Sequence, residues 1–255
     1  MLKLIKTLSV AALLTVVSIA GAQAAGGGIE LKSATWKHEG LFGTYDRAAA
    51  QRGLQVYQEV CAGCHSLRHV AFRTLADLGF SEAEIKALAK EATFVGGPDD
   101  DGEMFDRPGQ PSDKFPSPFA NEKAARASNG GAFPPDLSLI VKARGGFENY
   151  LYSLLIGYDD APEGFDLPEG MNYNTFFSGH KIAMPAPLSE DGVEYSDGTP
   201  ATVDQMAKDV TVFLAWTAEP KLEHRKNMGM KVILFLLLMS GLFYAVKRKI
   251  WAELH

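Results

Sequence analysis

The sequence predicts a mainly α-helical protein with long loops and one C-terminal helix that spans a membrane. Three observations support this fold class: segments with helical apolar stripes and end signals, few alternating strand patterns, and one long apolar run near the C-terminus. The chain has 255 residues, a net charge of −6 and two cysteines. About 200 residues lie between its two apolar ends, which is enough for one globular domain with its own core.

The apolar run near the C-terminus covers residues 229–246 and contains one charged residue, Lys231. At 1.5 Å per residue it extends about 27 Å, close to the roughly 30 Å of a bilayer core. A basic cluster and a tryptophan follow directly, as is typical of the end of a membrane-spanning helix. We therefore expect a membrane anchor at 227–249 and a short tail at 250–255.

The N-terminus has the pattern of a secretory signal peptide. Two lysines precede an uncharged apolar run at 8–20, and Ala-Gln-Ala at 22–24 provides a small-residue cleavage site. We expect residues 1–24 to be removed and the domain at 25–226 to lie in the periplasm, on the outer side of a bacterial inner membrane. The C-terminal tail would then face the cytoplasm.

The domain between the two ends is strongly acidic. Residues 25–220 carry 16 Lys and Arg against 29 Asp and Glu, a net charge of −13. Such a domain should repel nucleic acid and attract basic proteins. The charge therefore excludes nucleic acid as a partner and favours a basic protein.

Four segments of the domain carry helix signals. They are residues 45–60, residues 81–92 with a Ser-x-x-Glu capping box, residues 147–157 ending at glycine, and residues 202–218 opening at a threonine. In the first segment Leu54, Tyr57 and Val60 share an apolar stripe, which we expect to press on a bound cofactor. Residues 96–118 are rich in Gly, Pro and Asp and are predicted to form a loop.

Both cysteines lie in Cys61-Ala-Gly-Cys64-His65, the C-x-x-C-H pattern of covalent haem attachment. Two thiols three residues apart on a helical turn can each form a thioether to one haem, and the histidine can then bind iron. A redox-active cysteine pair and half of a zinc site are the alternatives. A zinc site needs four ligands, and the sequence has no second cysteine pair. Haem attachment accounts for both thiols of an exported chain.

A six-coordinate haem needs a second axial ligand, and the residues offer more than one candidate. Met184 lies between Ile182 and Pro187, where two prolines exclude a helix and favour an extended loop that can present a thioether. His180 is the main competitor, whereas His69 is too close to His65 to reach the opposite haem face. From the residues alone, Met184 and His180 both stay open.

Several specific stretches follow one another along the chain from about Tyr57 to the C-terminal anchor. They are VCAGCHS at 60–66, RASNGGAFPPDLS at 126–138, ARGGFENY at 143–150, IAMPAP at 182–187, YSDGTPAT at 195–202, and AEP at 218–220 followed by HRK at 224–226. In this order they resemble the cytochrome c1 family, the haem subunits of quinol:cytochrome c oxidoreductase (cytochrome bc1) complexes.

The resemblance implies roles for individual residues. One haem c would be bound covalently by Cys61 and Cys64, with His65 and Met184 as axial ligands of its iron. Arg144 would pair with a haem propionate, which suits a guanidinium because it can hold a carboxylate through two hydrogen bonds. The haem crevice would be lined by Tyr150, Pro134 and Pro135, and the acidic run Asp99, Asp100, Asp101 and Glu103 would face a cytochrome c.

The function that the resemblance implies is single-electron relay. Electrons would come from a Rieske iron–sulfur protein and pass to a soluble, basic cytochrome c, beside a cytochrome b subunit in the lipid membrane. The chain itself would hold no quinol site, so it would be an electron-transfer subunit of an enzyme complex. A haem enzyme with an open sixth position and a tethered carrier that works alone are the two other classes.

Overall fold

The computed structural model describes residues 29–252, and the predicted signal peptide at 1–24 lies outside this range. Within it the chain is mainly helical, which confirms the predicted fold class. The α-helices are α1 (Arg47–Val56), α2 (Glu82–Lys90), α3 (Glu122–Ser128), α4 (Phe147–Ile156), α5 (Val203–Ala218) and α6 (Leu222–Trp251). Two short antiparallel pairs are β1 (Thr93–Gly96) with β2 (Phe105–Pro108), and β3 (Asn172–Tyr173) with β4 (Lys181–Ile182).

The core forms where α1 packs against α5. Gly53 permits the close approach, because a β-carbon there would lie 2.1 Å from the backbone oxygen of Asp209. Arg52 reinforces the contact with two hydrogen bonds, from Nε and Nη2 to the Asp209 carboxylate at 2.8 and 2.9 Å. Nearly all of α5 from Met206 to Ala218 is buried. It is therefore a central helix and not a surface helix with one apolar face.

The helix ends follow the signals in the sequence. Ser81 Oγ accepts a hydrogen bond from the Glu84 N–H at 3.3 Å, and the Glu84 carboxylate accepts one from the Ser81 N–H at 2.7 Å, so α2 begins with the predicted capping box. Thr202 Oγ1 caps α5 by accepting from the Gln205 N–H at 3.1 Å. The C-cap of α4 is Gly157. The three helices predicted from these signals are confirmed.

The prediction that residues 96–118 form only loop is wrong for one segment. Strand β2 lies within them and pairs antiparallel with β1. Both strands are largely exposed, so they lack the apolar alternation that marks a half-buried strand. The hairpin is instead held beside its base by Arg107, whose guanidinium donates to Asp113 at 2.6 and 2.8 Å.

The apolar stripe on α1 faces protein. Leu54 and Tyr57 are 2% and 1% exposed, and the Tyr57 ring lies 5.9 Å from the ring of Phe213 on α5. The prediction that these two side chains press on a cofactor is therefore wrong, because α5 already covers them. Val60, which ends the stripe, is half-buried beside Cys61.

Helix α6 is the long apolar helix predicted at the C-terminus. It has 30 residues, begins at Leu222, and reaches a mean hydropathy of 2.0 in an 18-residue window that is not buried by the rest of the chain. At 1.5 Å per residue it is about 45 Å long, enough to cross a membrane. Its first turn is fixed to the domain, because Glu223 accepts two hydrogen bonds from Arg47 at 2.5 and 2.9 Å.

Candidate haem site

Cys61 and Cys64 lie in the turn that follows α1. The chain passes through one π-helical turn, Tyr57–Cys61, and the Cys61 carbonyl then accepts hydrogen bonds from the N–H groups of Cys64 at 3.1 Å and His65 at 2.9 Å. Both thiols are free, with Cys61 half-buried and Cys64 exposed. Burial raises the pKa of the Cys61 thiol to about 12. The turn therefore presents two adjacent thiols and a histidine from one short segment.

The imidazole of His65 is held in one orientation. Its Nδ1 lies 2.8 Å from the Pro135 carbonyl oxygen, so Nδ1 carries the proton and Nε2 is left with its lone pair. Burial lowers the pKa of His65, although the Pro135 carbonyl opposes the shift, and the ring is thus kept neutral. Metal-binding histidines commonly donate their second ring N–H to a carbonyl in this way. The Tyr57 hydroxyl also fixes the backbone here by donating to the His65 carbonyl at 3.0 Å.

Asp136 ties the Pro135 segment to the chain after His65, a role that sequence reasoning missed. Its carboxylate accepts from Ser66 Oγ at 2.7 Å, from the Arg68 N–H at 2.9 Å and from the Ser138 N–H at 3.0 Å. Burial works against ionisation, but these donors outweigh it and lower the pKa of Asp136 to about 2. The Pro135 carbonyl is thereby positioned by an ionised carboxylate next to it in the chain.

Helix α3 delivers the segment that contains Pro134 and Pro135. Arg126 in its last turn donates to the Gly131 carbonyl at 2.9 Å, and its guanidinium lies 5.6 Å from the centre of the Phe133 ring. Pro134 is half-buried and Pro135 is exposed. Pro135 therefore serves His65 through its backbone carbonyl, a contact that its side-chain type does not reveal.

Met184 lies in a bend directly after β4 and is held through its backbone. Its carbonyl accepts from the Tyr158 hydroxyl at 3.1 Å and from Asn172 Nδ2 at 3.3 Å. The segment follows β4, and no helix forms there, as the prolines predict. An open cavity of about 460 Å³ adjoins it, lined by residues that include Tyr158, Asn172, Met171 and Ala186.

His180, the competing axial ligand, has contacts of its own. Its ring stacks on that of Tyr173 with the centroids 5.6 Å apart, and its Nδ1 lies 3.3 Å from the Asn174 carbonyl oxygen. These contacts engage the imidazole with β3 and the residue after it. They do not separate His180 from Met184, because an Nδ1 contact with a backbone carbonyl also holds His65.

Arg144 and Tyr150 lie at the start of α4. The Arg144 guanidinium is exposed and donates to the carbonyl of its neighbour Ala143 at 3.1 Å, and within residues 29–252 it has no carboxylate partner. Tyr150 is half-buried on the first turns of the helix. Gly146, directly before α4, adopts φ +86°, and a β-carbon there would also lie 2.3 Å from Leu31. The turn between Arg144 and α4 therefore requires glycine. Arg144 is thus free to pair with an anion.

The sequence of the chain is similar to the sequences of a known protein family. Residues 36–254 match the Cytochrome C1 family. The chain belongs to the cytochrome c1 family. It is 50% identical over 255 residues to cytochrome c1 of Rhodospirillum rubrum, covering 93% of this chain and 94% of that protein. It is also 50% identical over 226 residues to the mitochondrial cytochrome c1 haem protein of Saccharomyces cerevisiae, covering 88% and 73%.

The name of a third relative combines cytochrome b with cytochrome c1. The chain is 51% identical over 242 residues to cytochrome b/c1 of Bradyrhizobium diazoefficiens, covering 86% of this chain and 35% of that protein. Membership of the cytochrome c1 family makes this chain a haem c protein for electron transfer. Its residues fit that cofactor, because two free thiols and a neutral imidazole with one unprotonated nitrogen form the donor set of C-x-x-C-H attachment.

The acidic run lies at the tip of the β1–β2 hairpin, away from the donor set in sequence. Asp99 Oδ1 accepts from the N–H groups of Asp101 at 3.0 Å and Glu103 at 2.9 Å, so one carboxylate shapes the turn. Asp100, Asp101 and Glu103 are exposed. The hairpin therefore presents a compact negative tip to solvent.

Proposed function

We propose that this cytochrome c1 family member relays single electrons from a Rieske iron–sulfur protein to a soluble, basic cytochrome c, as a subunit of a cytochrome bc1 complex. The observation that carries the proposal is the orientation of His65, whose Nδ1–H is committed to Pro135 and whose Nε2 is available to iron. Bound haem c supplies a one-electron couple. The chain's own residues then decide how the iron is held and how its charge is screened.

Four residues would hold the cofactor. Cys61 and Cys64 would form the thioethers, and His65 and Met184 would occupy the two axial positions. A His/Met pair raises the reduction potential of haem iron relative to two histidines, which suits a carrier late in a chain. Two filled axial positions leave no site for a substrate, which separates an electron carrier from a haem enzyme.

Three further groups would support the relay. Arg144 would neutralise a haem propionate, and Tyr150 with Pro134 would cover the edge of the crevice. The acidic hairpin tip, Asp99, Asp100, Asp101 and Glu103, would attract the basic acceptor and raise the rate of encounter at low salt.

The placement of the chain follows from its two ends. Residues 1–24 would direct export and be cleaved, residues 25–226 would fold in the periplasm, residues 227–249 would anchor the chain in the inner membrane, and residues 250–255 would face the cytoplasm. Two relatives are named as cytochrome b/c1 and as the catalytic subunit of a cytochrome b-c1 complex. Those names support a complex with a cytochrome b subunit.

Gentle solubilisation of membranes and affinity purification through this chain test the complex. We expect a b-type cytochrome spectrum and an iron–sulfur electron paramagnetic resonance signal in the purified fraction, together with quinol-driven reduction of a soluble cytochrome c. Purification of this chain alone, with its haem intact, would contradict the proposal and favour a tethered carrier. N-terminal sequencing of the same sample should begin near Ala25, and retention of Met1 would contradict export by cleavage.

A further inference from the structure

Two large apolar side chains project from a loop near the start of α6. Leu41 is 57% exposed and Phe42 is 76% exposed. They lie outside the core, outside the haem site and outside α6. Exposed apolar pairs at a loop tip usually mark a contact surface. The direction in which this loop points decides what it contacts.

The loop has a fixed shape. The Glu39 N–H donates to the Trp36 carbonyl at 3.0 Å, and the Thr44 N–H donates to the Lys37 carbonyl at 3.1 Å, so the two arms of the loop are joined at its base. Gly43 is required there, because a β-carbon would lie 1.9 Å from the Glu39 carbonyl oxygen. The tip at 40–42 is thus carried on a closed base.

Residues 38–45 contact the first two turns of α6, close to its apolar run. The Tyr45 hydroxyl donates to two carbonyls at the end of α5, and its N–H donates to Glu223 in the first turn of α6 at 2.8 Å. Lys226, about one turn further on, donates to the His38 carbonyl at 2.6 Å and the Gly43 carbonyl at 3.3 Å. Residues 43–45 therefore lie beside the first two turns of α6.

The tip is separated by only two residues from the Gly43 contact with Lys226. The apolar run begins at Gly229, three residues or about 4.5 Å beyond Lys226 along the helix axis. Two further loop residues are enough to reach this level. We propose that Leu41 and Phe42 insert into the lipid interface beside α6 and form a second, peripheral membrane contact of the haem domain. The proposal rests on the proposed role of α6 as membrane anchor.

The surrounding chemistry suits a lipid surface. Aromatic side chains are favoured at the depth of the headgroups, and basic residues there attract anionic lipid. Arg225 and Lys231 are exposed on α6 on either side of the Lys226 contact. A single helix can rotate and tilt in a bilayer, so a second contact would restrict the orientation of the haem domain over the membrane.

Spin labels on single cysteines test the insertion. In the haem-loaded chain both native thiols are consumed by thioethers, so an introduced cysteine is the only free thiol of this chain, and the wild-type complex labelled in parallel gives the background from other subunits. Three variants would be labelled in the purified complex and placed in liposomes of phosphatidylethanolamine and phosphatidylglycerol: Phe42→Cys, Val95→Cys and Leu237→Cys. Val95 is the matched control because it is 66% exposed on the β1–β2 hairpin, and Leu237 lies within α6. Collision rates with oxygen and with a water-soluble nickel chelate would then be measured.

We expect the oxygen-to-nickel collision ratio at position 42 to exceed that at position 95 severalfold and to approach that at position 237. Equal ratios at 42 and 95 would overturn the proposal while the label at 237 still confirmed the anchor. An immobile label at 42, shielded from both reagents, would also overturn it and indicate contact with a neighbouring subunit. A nickel-accessible label at 237 would overturn both the insertion and the anchor on which it rests.

Discussion

The two residues proposed to bind iron are held in different ways. On the His65 side, the imidazole itself is fixed by the Pro135 carbonyl, and Asp136 braces that carbonyl through three donors. On the Met184 side, Tyr158 and Asn172 hold only the backbone carbonyl of the methionine. Hydrogen bonds thus fix the ring of His65, whereas at Met184 they fix only the backbone.

This difference explains which ligand can be inferred from a motif. His65 follows directly from two cysteines three residues apart. Met184 depends on partners that lie 26 and 12 residues earlier in the chain. Substitutions around His65 should therefore have the larger effect on the free energy of unfolding. Substitution of Met184 itself should have the larger effect on the reduction potential of the haem.

The largest effect on stability is expected for Asp136→Ala, on the His65 side. The change leaves donors on three residues without their acceptor: Ser66, Arg68 through its N–H and Nε, and Ser138. Each partly buried bond is worth about 1 kcal/mol, and the exposed bonds from Arg68 are worth less. We expect the free energy of unfolding, measured by urea titration of the full chain in detergent, to fall by about 3 kcal/mol. The matched control is Asp166→Ala, which breaks the ion pair of a 93% exposed carboxylate with Lys181 and should leave the free energy of unfolding nearly unchanged. Equal losses in the two variants would contradict the bracing role of Asp136.

Acid should weaken the same brace. The folded-state pKa of Asp136 is about 2, below the ordinary value of an aspartate, so its contribution is complete above the pKa of the unfolded chain and is lost as the pH falls toward 2. Urea unfolding of the wild-type chain and of Asp136→Asn between pH 5 and 2 should show a steeper loss in the wild type. Parallel pH profiles would argue against the depressed pKa.

A smaller effect is expected for Tyr158→Phe on the Met184 side. It removes one hydrogen bond to the Met184 carbonyl, worth about 1 kcal/mol. Asn172→Ala removes the second donor to the same oxygen. Since both bonds restrain one backbone group, the two changes should be non-additive in a double-mutant cycle of unfolding free energies. Strict additivity would show that the two donors act on separate elements.

The smallest effect is expected at the acidic hairpin tip, which belongs to neither side. Asp100→Asn with Asp101→Asn should slow electron transfer to a basic cytochrome c about twofold at low salt and have little effect at high salt, where the charges are screened. Glu163→Gln with Glu169→Gln provides a control of equal charge on an exposed loop. A rate independent of salt, or equal slowing by both pairs, would remove the proposed docking role.

Local signals predicted more of this protein than pairings between distant segments did. The capping box at Ser81 and the cap at Thr202 act within one helical turn, so the sequence predicts them directly. The β1–β2 hairpin was missed because its strands are four residues long and only Phe94 packs against the core, and α3 was missed because it is short and lies among loop residues. Asp136 was missed because its partner Ser66 lies 70 residues away. The stripe of Leu54 and Tyr57 was assigned to the wrong neighbour, because an apolar face does not reveal what covers it.

The central claim is that Met184 is the second axial ligand, and redox titration of Met184→Leu tests it most directly. Met171→Leu is the matched control, since Met171 is half-buried in the cavity next to the Met184 segment. Axial ligands set haem potentials over roughly 0.8 V. We expect the midpoint potential of Met184→Leu to fall by on the order of 0.1 V or more, with haem still covalently bound, and that of Met171→Leu to stay at the wild-type value. An unchanged potential in Met184→Leu, or a fall in Met171→Leu instead, would contradict the assignment.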